Sequence, residues 1–168
     1  MELHAEGLDE PRVEAWGRMV GAESSWPLVL ALRGPLGAGK SVLARAVARG
    51  AGVTGAMPSP TFNLVYRYEP RPDLEVWHLD LYRLEDADEV WELGWRELGE
   101  GNQIVLIEWP ERAEELLPVP RWDIELRAEE ETDRRTLHAT RVGSAPALPA
   151  FERAAVRDDT VATGVSRA

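Results

Sequence analysis

Gly34-Pro35-Leu36-Gly37-Ala38-Gly39-Lys40-Ser41 fits Gly-x-x-x-x-Gly-Lys-[Ser/Thr] at every specified position. Lys40 is the only lysine in the chain, against eighteen arginines. A compact ammonium on a thin stem fits inside the curl of a phosphate-binding loop, whereas the broad planar fork of Arg does not. Gly37 and Gly39 allow backbone dihedrals that a side chain forbids, so successive N–H groups can turn inward around an anion. A helix starting near Ser41 brings the partial positive charge of its N-terminus under the phosphates. The Ser41 hydroxyl is an oxygen ligand suited to Mg²⁺.

Such a loop needs a strand before it and a helix after it. Leu28-Val-Leu-Ala-Leu32 is a short continuous apolar run, as a buried strand requires. Beyond the loop, Leu43, Ala46 and Val47 recur at helical spacing until Gly50 and Gly52 offer a stop. The candidate nucleotide-binding run is therefore Gly34 to Ser41, extended by Val42 in the first helical turn.

The rest of the chain is organised around this unit. With 168 residues and 44% hydrophobic content, one domain with a sizeable core is expected. Asp9 is a candidate N-cap for a helix that places Val13, Trp16, Met19 and Val20 on one face. Phe62 to Tyr68 and Glu75 to Tyr82 read as two strands of a hairpin turning at Pro70 to Asp73. Glu85 to Gly101 reads as an acidic helix, and Gln103 to Ile107 as a second buried strand. Arg121 to Arg127 and Arg135 to Val142 alternate and form another hairpin around Glu129 to Asp133. Two hairpins beside a parallel core require a mixed sheet in a three-layer α/β P-loop fold. The domain is expected to span 1–143, with 144–168 as a mobile tail, because the Ala, Pro, Val and Asp mixture there has no clear period.

Composition limits what the protein does. A net charge of −11 argues against unaided nucleic-acid binding, since phosphate contacts need clustered basic residues. No apolar run approaches the roughly 18 residues of a membrane span. Met1-Glu-Leu-His-Ala-Glu6 lacks the basic and then apolar layout of a signal peptide. The absence of cysteine rules out disulfides and thiolate metal sites and is compatible with the cytoplasm, the expected location.

Three further runs carry chemistry. Ile104-Val-Leu-Ile-Glu108-Trp109-Pro110 ends an apolar strand in a carboxylate, where a P-loop enzyme places the acid beside its Mg²⁺. Strand ends are also where ligands bind in open α/β sheets. In His78-Leu-Asp80-Leu-Tyr82-Arg83, period-two spacing puts His78, Asp80 and Tyr82 on one face. On pattern alone that face equally describes a solvated strand surface. Ser59-Pro60-Thr61 is a turn whose hydroxyl is placed to sense a γ-phosphate, or simply a turn.

Taken in order, these four runs resemble the TsaE (formerly YjeE) family of bacterial P-loop ATPases, over about Ala15 to Val142. The His-x-Asp-x-Tyr-Arg and Glu-Trp-Pro runs are more particular than the loop itself. The resemblance implies ATP and Mg²⁺ as cofactors, with Lys40, Asp80 and Glu108 catalytic and Ser41 and Glu108 at the metal. It implies that Thr61 belongs to a switch-like loop and that Trp109 lies close to the nucleotide. Ser41 departs from the Thr common in the family, and either hydroxyl can bind Mg²⁺. The implied role is in N6-threonylcarbamoyladenosine modification of adenosine 37 of tRNA. There the protein binds the two-protein threonylcarbamoyl-transferase heterodimer (TsaB and TsaD type), and ATP hydrolysis resets that complex. Seven acids and one Arg lie between Glu85 and Glu100, a stretch that repels tRNA and suits a basic protein surface. RNA contact is thus expected only through the partners.

Two rivals use the same loop. A small-molecule kinase needs an acceptor pocket and a closing lid, for which Ala15 to Val142 leaves little room. A nucleotide-gated binding module with little turnover differs only in degree, because the family is expected to be slow alone.

Overall fold

The computed structural model describes residues 1–155. Seven strands form one sheet: β1 (Glu2–Leu8), β2 (Leu28–Arg33), β3 (Val65–Arg71), β4 (Leu74–Asp80), β5 (Gln103–Glu108), β6 (Arg121–Ala128) and β7 (Arg135–Val142). Their spatial order is β1-β7-β6-β2-β5-β4-β3. β2 runs parallel to both β5 and β6, and β5 is parallel to β4. The hairpins β3–β4 and β6–β7, with β1 against β7, supply the antiparallel margins. The mixed sheet is the one the two hairpins demand.

β2 lies at the centre because its side chains are apolar in both directions. Leu28, Leu30 and Leu32 face one core, with Ile104 and Leu106 from β5. Helices α1 (Glu10–Glu23) and α2 (Lys40–Gly50) cover that face through Val13, Trp16, Val20, Leu43 and Val47. Asp9 caps α1, accepting from the Arg12 amide at 3.0 Å. Val29, Val105, Ile107, Trp77 and Leu79 face the second core, closed by Val90, Trp95, Leu98, Ala113 and Leu117. Helical layers thus flank the sheet on both sides, but the second is made of 3-10 turns at Ala87–Leu93, Trp95–Glu97 and Pro110–Leu116.

Several expectations need correction. The stretch from Glu85 to Gly101 is not one α-helix. Gly94 adopts φ 84 and splits it, and a Cβ there would lie 2.6 Å from the Arg67 guanidinium. Asp86 and Glu89 form a capping box that starts the first 3-10 segment. The first hairpin is displaced from its expected bounds: Phe62 and Asn63 belong to the preceding turn, which Leu64 ends at φ 63. Tyr82 lies beyond the end of β4.

Strand β1 is an addition to the expected elements. Its residues alternate between exposed and half-buried up to the buried Leu8, and it forms an edge of the sheet by pairing with β7. Residues 144–155, expected to be mobile, lie against the body. The Trp16 indole donates to the Pro149 carbonyl and the Trp122 indole to the Pro146 carbonyl, both at 2.8 Å. Both indoles are fully buried, so their N–H groups need acceptors, and this segment supplies them. Phe151 packs on Trp16 at 4.2 Å between ring centroids, just before the short helix α3 (Glu152–Ala155). The remainder of the expected tail, 156–168, lies outside the described residues. Among the described residues no helix is long and apolar enough to cross a membrane.

Candidate nucleotide site

Three parallel strands end side by side at this site. In register, Glu108 of β5 stands between Leu32 of β2 and Asp80 of β4. The chain leaves β2 through Gly34, at φ 135, where a Cβ would come within 2.2 Å of the Leu126 carbonyl oxygen. It then turns through the loop, and Gly39, at φ 104, starts α2. These two positions require glycine, one for close backbone approach and one for its left-handed dihedral.

Lys40, 4% exposed, folds back over its own loop. Its Nζ donates to the Gly34 carbonyl at 2.6 Å and the Pro35 carbonyl at 2.9 Å. The ammonium also sits 3.9 Å from the centre of the Trp109 ring. Trp109 reaches this position through its own left-handed backbone, φ 56, at the exit of β5. Burial pulls the Lys40 pKa below its usual 10.5, against the opposing pull of Glu108, Glu111 and Asp80. The loop thus contains a cation held by carbonyl dipoles and an aromatic face.

The acids are held separately. Glu108 is buried and accepts from Ser41 Oγ at Oε2, 2.8 Å, and from His78 Nε2 at Oε1, 2.7 Å. An ionised carboxylate only accepts, so the hydrogen on His78 is assigned to Nε2. Asp80 is also buried and accepts from Thr61 Oγ1 at 2.7 Å and from the Tyr82 amide at 2.9 Å. Thr61 Oγ1 is in turn 2.8 Å from Ser59 Oγ. Both hydroxyls of the Ser59-Pro60-Thr61 turn are therefore wired to the second acid.

These groups surround a cavity of about 420 Å³, lined by residues that include Leu36, Gly37, Gly39, Lys40, Ser41, Val42, Thr61, Asp80, Tyr82, Glu108 and Trp109. Gly34 and Pro35 contribute through their carbonyls to Lys40, and Ala38 is packed beneath the loop. Arg83 stacks on Phe62 at 3.9 Å and does not line the cavity. A larger cavity of about 580 Å³ lies against α1 and the end of α2, away from the loop and the acids.

Four residues of the site, His78, Tyr82, Glu10 and Arg135, have no role assigned from the sequence. His78 stood in a recognised run, but its period-two neighbours did not reveal that this face was buried against Glu108. Glu10 and Arg135 line the same cavity, and Arg135 Nε donates to the Ala38 carbonyl at 3.2 Å. Among so many arginines nothing local singled it out.

A hydroxyl and a carboxylate are hard oxygen donors, which suit Mg²⁺. Among the described residues no three His, Cys, Asp or Glu side chains converge as a metal cage. This donor set fits Mg²⁺ completed by phosphate oxygens and water better than a transition metal held by protein alone.

Comparison with known proteins gives consistent results. The family model described as "Threonylcarbamoyl adenosine biosynthesis protein TsaE" matches residues 8–137. The tRNA threonylcarbamoyladenosine biosynthesis protein TsaE of Bacillus subtilis is 38% identical over 116 residues, covering 69% of this chain and 71% of that protein. Its namesake in Treponema pallidum is 36% identical over 112 residues, covering 67% and 82%. The crystal structure of Bacillus subtilis YdiB superposes with a TM-score of 0.67 at 26% identity, covering 94% of this chain and 93% of that one.

Proposed function

This chain belongs to the TsaE family, and from that premise we propose that it is a Mg²⁺-dependent ATPase acting in tRNA threonylcarbamoyladenosine biosynthesis. The observation that carries the reading is the meeting of Lys40, Ser41, Glu108 and Asp80 around one cavity beneath the loop.

Each residue has a separable task. The loop amides and the α2 N-terminus bind the phosphates, and Lys40 exchanges its carbonyl partners for phosphate oxygens. Ser41 and Glu108 would hold Mg²⁺, which would supply positive charge to the phosphate oxygens. Asp80 orients the attacking water or supports the metal site, and Thr61 ties that acid to a loop able to respond to the γ-phosphate. Trp109 closes one side of the phosphate cavity. Phosphoryl transfer needs little covalent help from protein, so placement and charge account for most of the catalysis.

The ATPase unit is residues 1–143, with 144–155 packed against β6 and α1. It docks on the two-protein threonylcarbamoyl-transferase heterodimer and resets it between rounds, while the partners hold the tRNA. The acidic stretch from 85 to 100, with Trp91 43% exposed upon it, offers a surface for a basic partner. Turnover alone is slow and rises on docking, through a partner residue, Arg83 or ordering of the Thr61 loop; an arginine brought to the phosphates can raise such rates by about 10³–10⁵.

The test is Mg²⁺-dependent phosphate release from ATP, alone and with the purified heterodimer, with Lys40→Ala as the blank. A slow basal rate that rises with the heterodimer and vanishes in the blank is expected. Absence of stimulation, or phosphate appearing on an added small molecule, would overturn the assignment.

A further inference from the structure

We propose that His78 is a positioning residue: it holds the Glu108 carboxylate so that the opposite oxygen serves the loop hydroxyl and the cation–phosphate centre. The inference rests on the ATPase reading and adds to it a residue with no contact to nucleotide of its own.

The argument begins with an apparently unfavourable choice of side chain. Leu74, Val76 and His78 share one face of β4, and all three are 2% exposed or less. At such a position an aliphatic side chain packs without polar cost, whereas an unpaired imidazole loses the hydrogen bonds it makes to water. His78 avoids that cost through a contact with Glu108 Oε1 at 2.7 Å. A buried imidazole needs an acceptor, but any backbone carbonyl would meet that need. The carboxylate it meets is the one that also accepts from Ser41 at 2.8 Å.

The pairing fixes the carboxylate at both ends. Glu108 is the last residue of β5, and its long side chain has several torsions to restrain. With Oε1 held by His78, the carboxyl plane is set and Oε2 is directed at Ser41. Without that bond, one donor remains and the group can rotate about it. Asp80 has its own partners in Thr61 and the Tyr82 amide, so His78 governs only one of the two acids. Residues that orient a metal-binding carboxylate are typically worth about 10–100-fold in metal affinity.

This division predicts a defect in Mg²⁺ response rather than in nucleotide capture. Binding of ADP and of a non-hydrolysable ATP analogue is measured by calorimetry, first in EDTA and then across a Mg²⁺ titration. The proteins compared are wild type, His78→Ala and His78→Gln, whose side-chain amide keeps a donor near the position of Nε2. In EDTA all three bind within about twofold of one another. The Mg²⁺ needed for half-maximal tightening of the ATP analogue rises about 10–100-fold in His78→Ala and largely recovers in His78→Gln.

A wild-type Mg²⁺ response in His78→Ala overturns the proposal and leaves an ordinary core histidine. The proposal fails equally if a His78→Gln protein of wild-type melting temperature shares the full alanine defect. Loss of nucleotide binding in EDTA together with a collapsed melting transition in both variants also overturns it, in favour of a purely structural role. If instead the wild type binds nucleotide with Mg²⁺ but releases no phosphate, the ATPase reading fails, while the binding titration still decides the role of His78.

Discussion

Replacing Glu108 by Gln removes one negative charge while keeping the shape of the side chain. Its carbonyl can still accept from His78 Nε2, and its amide can donate to Ser41 Oγ, whose hydroxyl then turns to accept. Both hydrogen bonds at 2.7 and 2.8 Å persist as neutral pairs. Charge-assisted bonds exceed neutral ones by on the order of 1 kcal/mol each, so stability falls by about 2 kcal/mol. For a chain of this size that is roughly 4–8 °C in Tm. Hydrolysis suffers far more, because loss of one fixed electrostatic partner at a reacting centre lowers kcat by about 10²–10³. Nucleotide binding without Mg²⁺ stays equal or tightens, because a carboxylate beside the phosphates has become neutral. Glu108→Ala, which leaves His78 and Ser41 unpaired, melts lower than Glu108→Gln but is no more defective in turnover per folded molecule. The assays are phosphate release at saturating Mg²⁺, calorimetry with ADP in EDTA, and thermal melting. Turnover of Glu108→Gln within about threefold of wild type would refute the reasoning and move the essential acid to Asp80.

Further outcomes can be checked independently. Because Lys40 is the only lysine, its side-chain carbon signal in NMR reports one group; it titrates below 10.5 in the free protein and moves upward when phosphates bind. Between the lowered value and 10.5 the unfolded chain holds the extra proton, so this group makes stability rise with pH in that window; a Lys40 signal titrating at or above 10.5 in the free protein would contradict the burial argument. Thr61→Val removes the 2.7 Å bond to Asp80 with little change of shape; a hydrogen bond to a charged group is worth about 1.5–3 kcal/mol, so turnover falls roughly 10–150-fold while ADP affinity holds, and equal losses in both would show that the loop binds rather than positions. Gly21→Ala places a Cβ 1.9 Å from the Val47 carbonyl oxygen, where α1 crosses the loop-bearing helix α2; the forced separation costs about 1–3 kcal/mol and lowers Tm by roughly 2–12 °C, and an unchanged melting curve would mean that the helices part freely.

Features whose physics is local could be read from the residues alone. A loop that must bare its amides needs Gly34, Gly37 and Gly39, and the flanking apolar run and helical spacing identify the strand and helix that carry it. The Asp9 cap, the β6–β7 hairpin and the buried β5 ending in Glu108 were legible for the same reason. Whatever depends on a partner distant in the chain emerged only with the folded molecule. The face of β4 bearing His78 and Asp80 has a pattern that fits water as well as a core; it is buried because β5 lies beside it and α2 above it. Only that arrangement separates the acids into a Glu108 held by His78 and Ser41 and an Asp80 held by Thr61. The edge strand β1, the break at Gly94 and the strap from 144 to 155 were hidden likewise. Each depends on a distant partner or a local reversal: a β7 edge to pair with, a left-handed Gly94 set against Arg67 and Trp77, and two buried indoles that need acceptors. Local propensity does not encode such contacts, because burial and hydrogen-bond satisfaction are properties of the assembled chain.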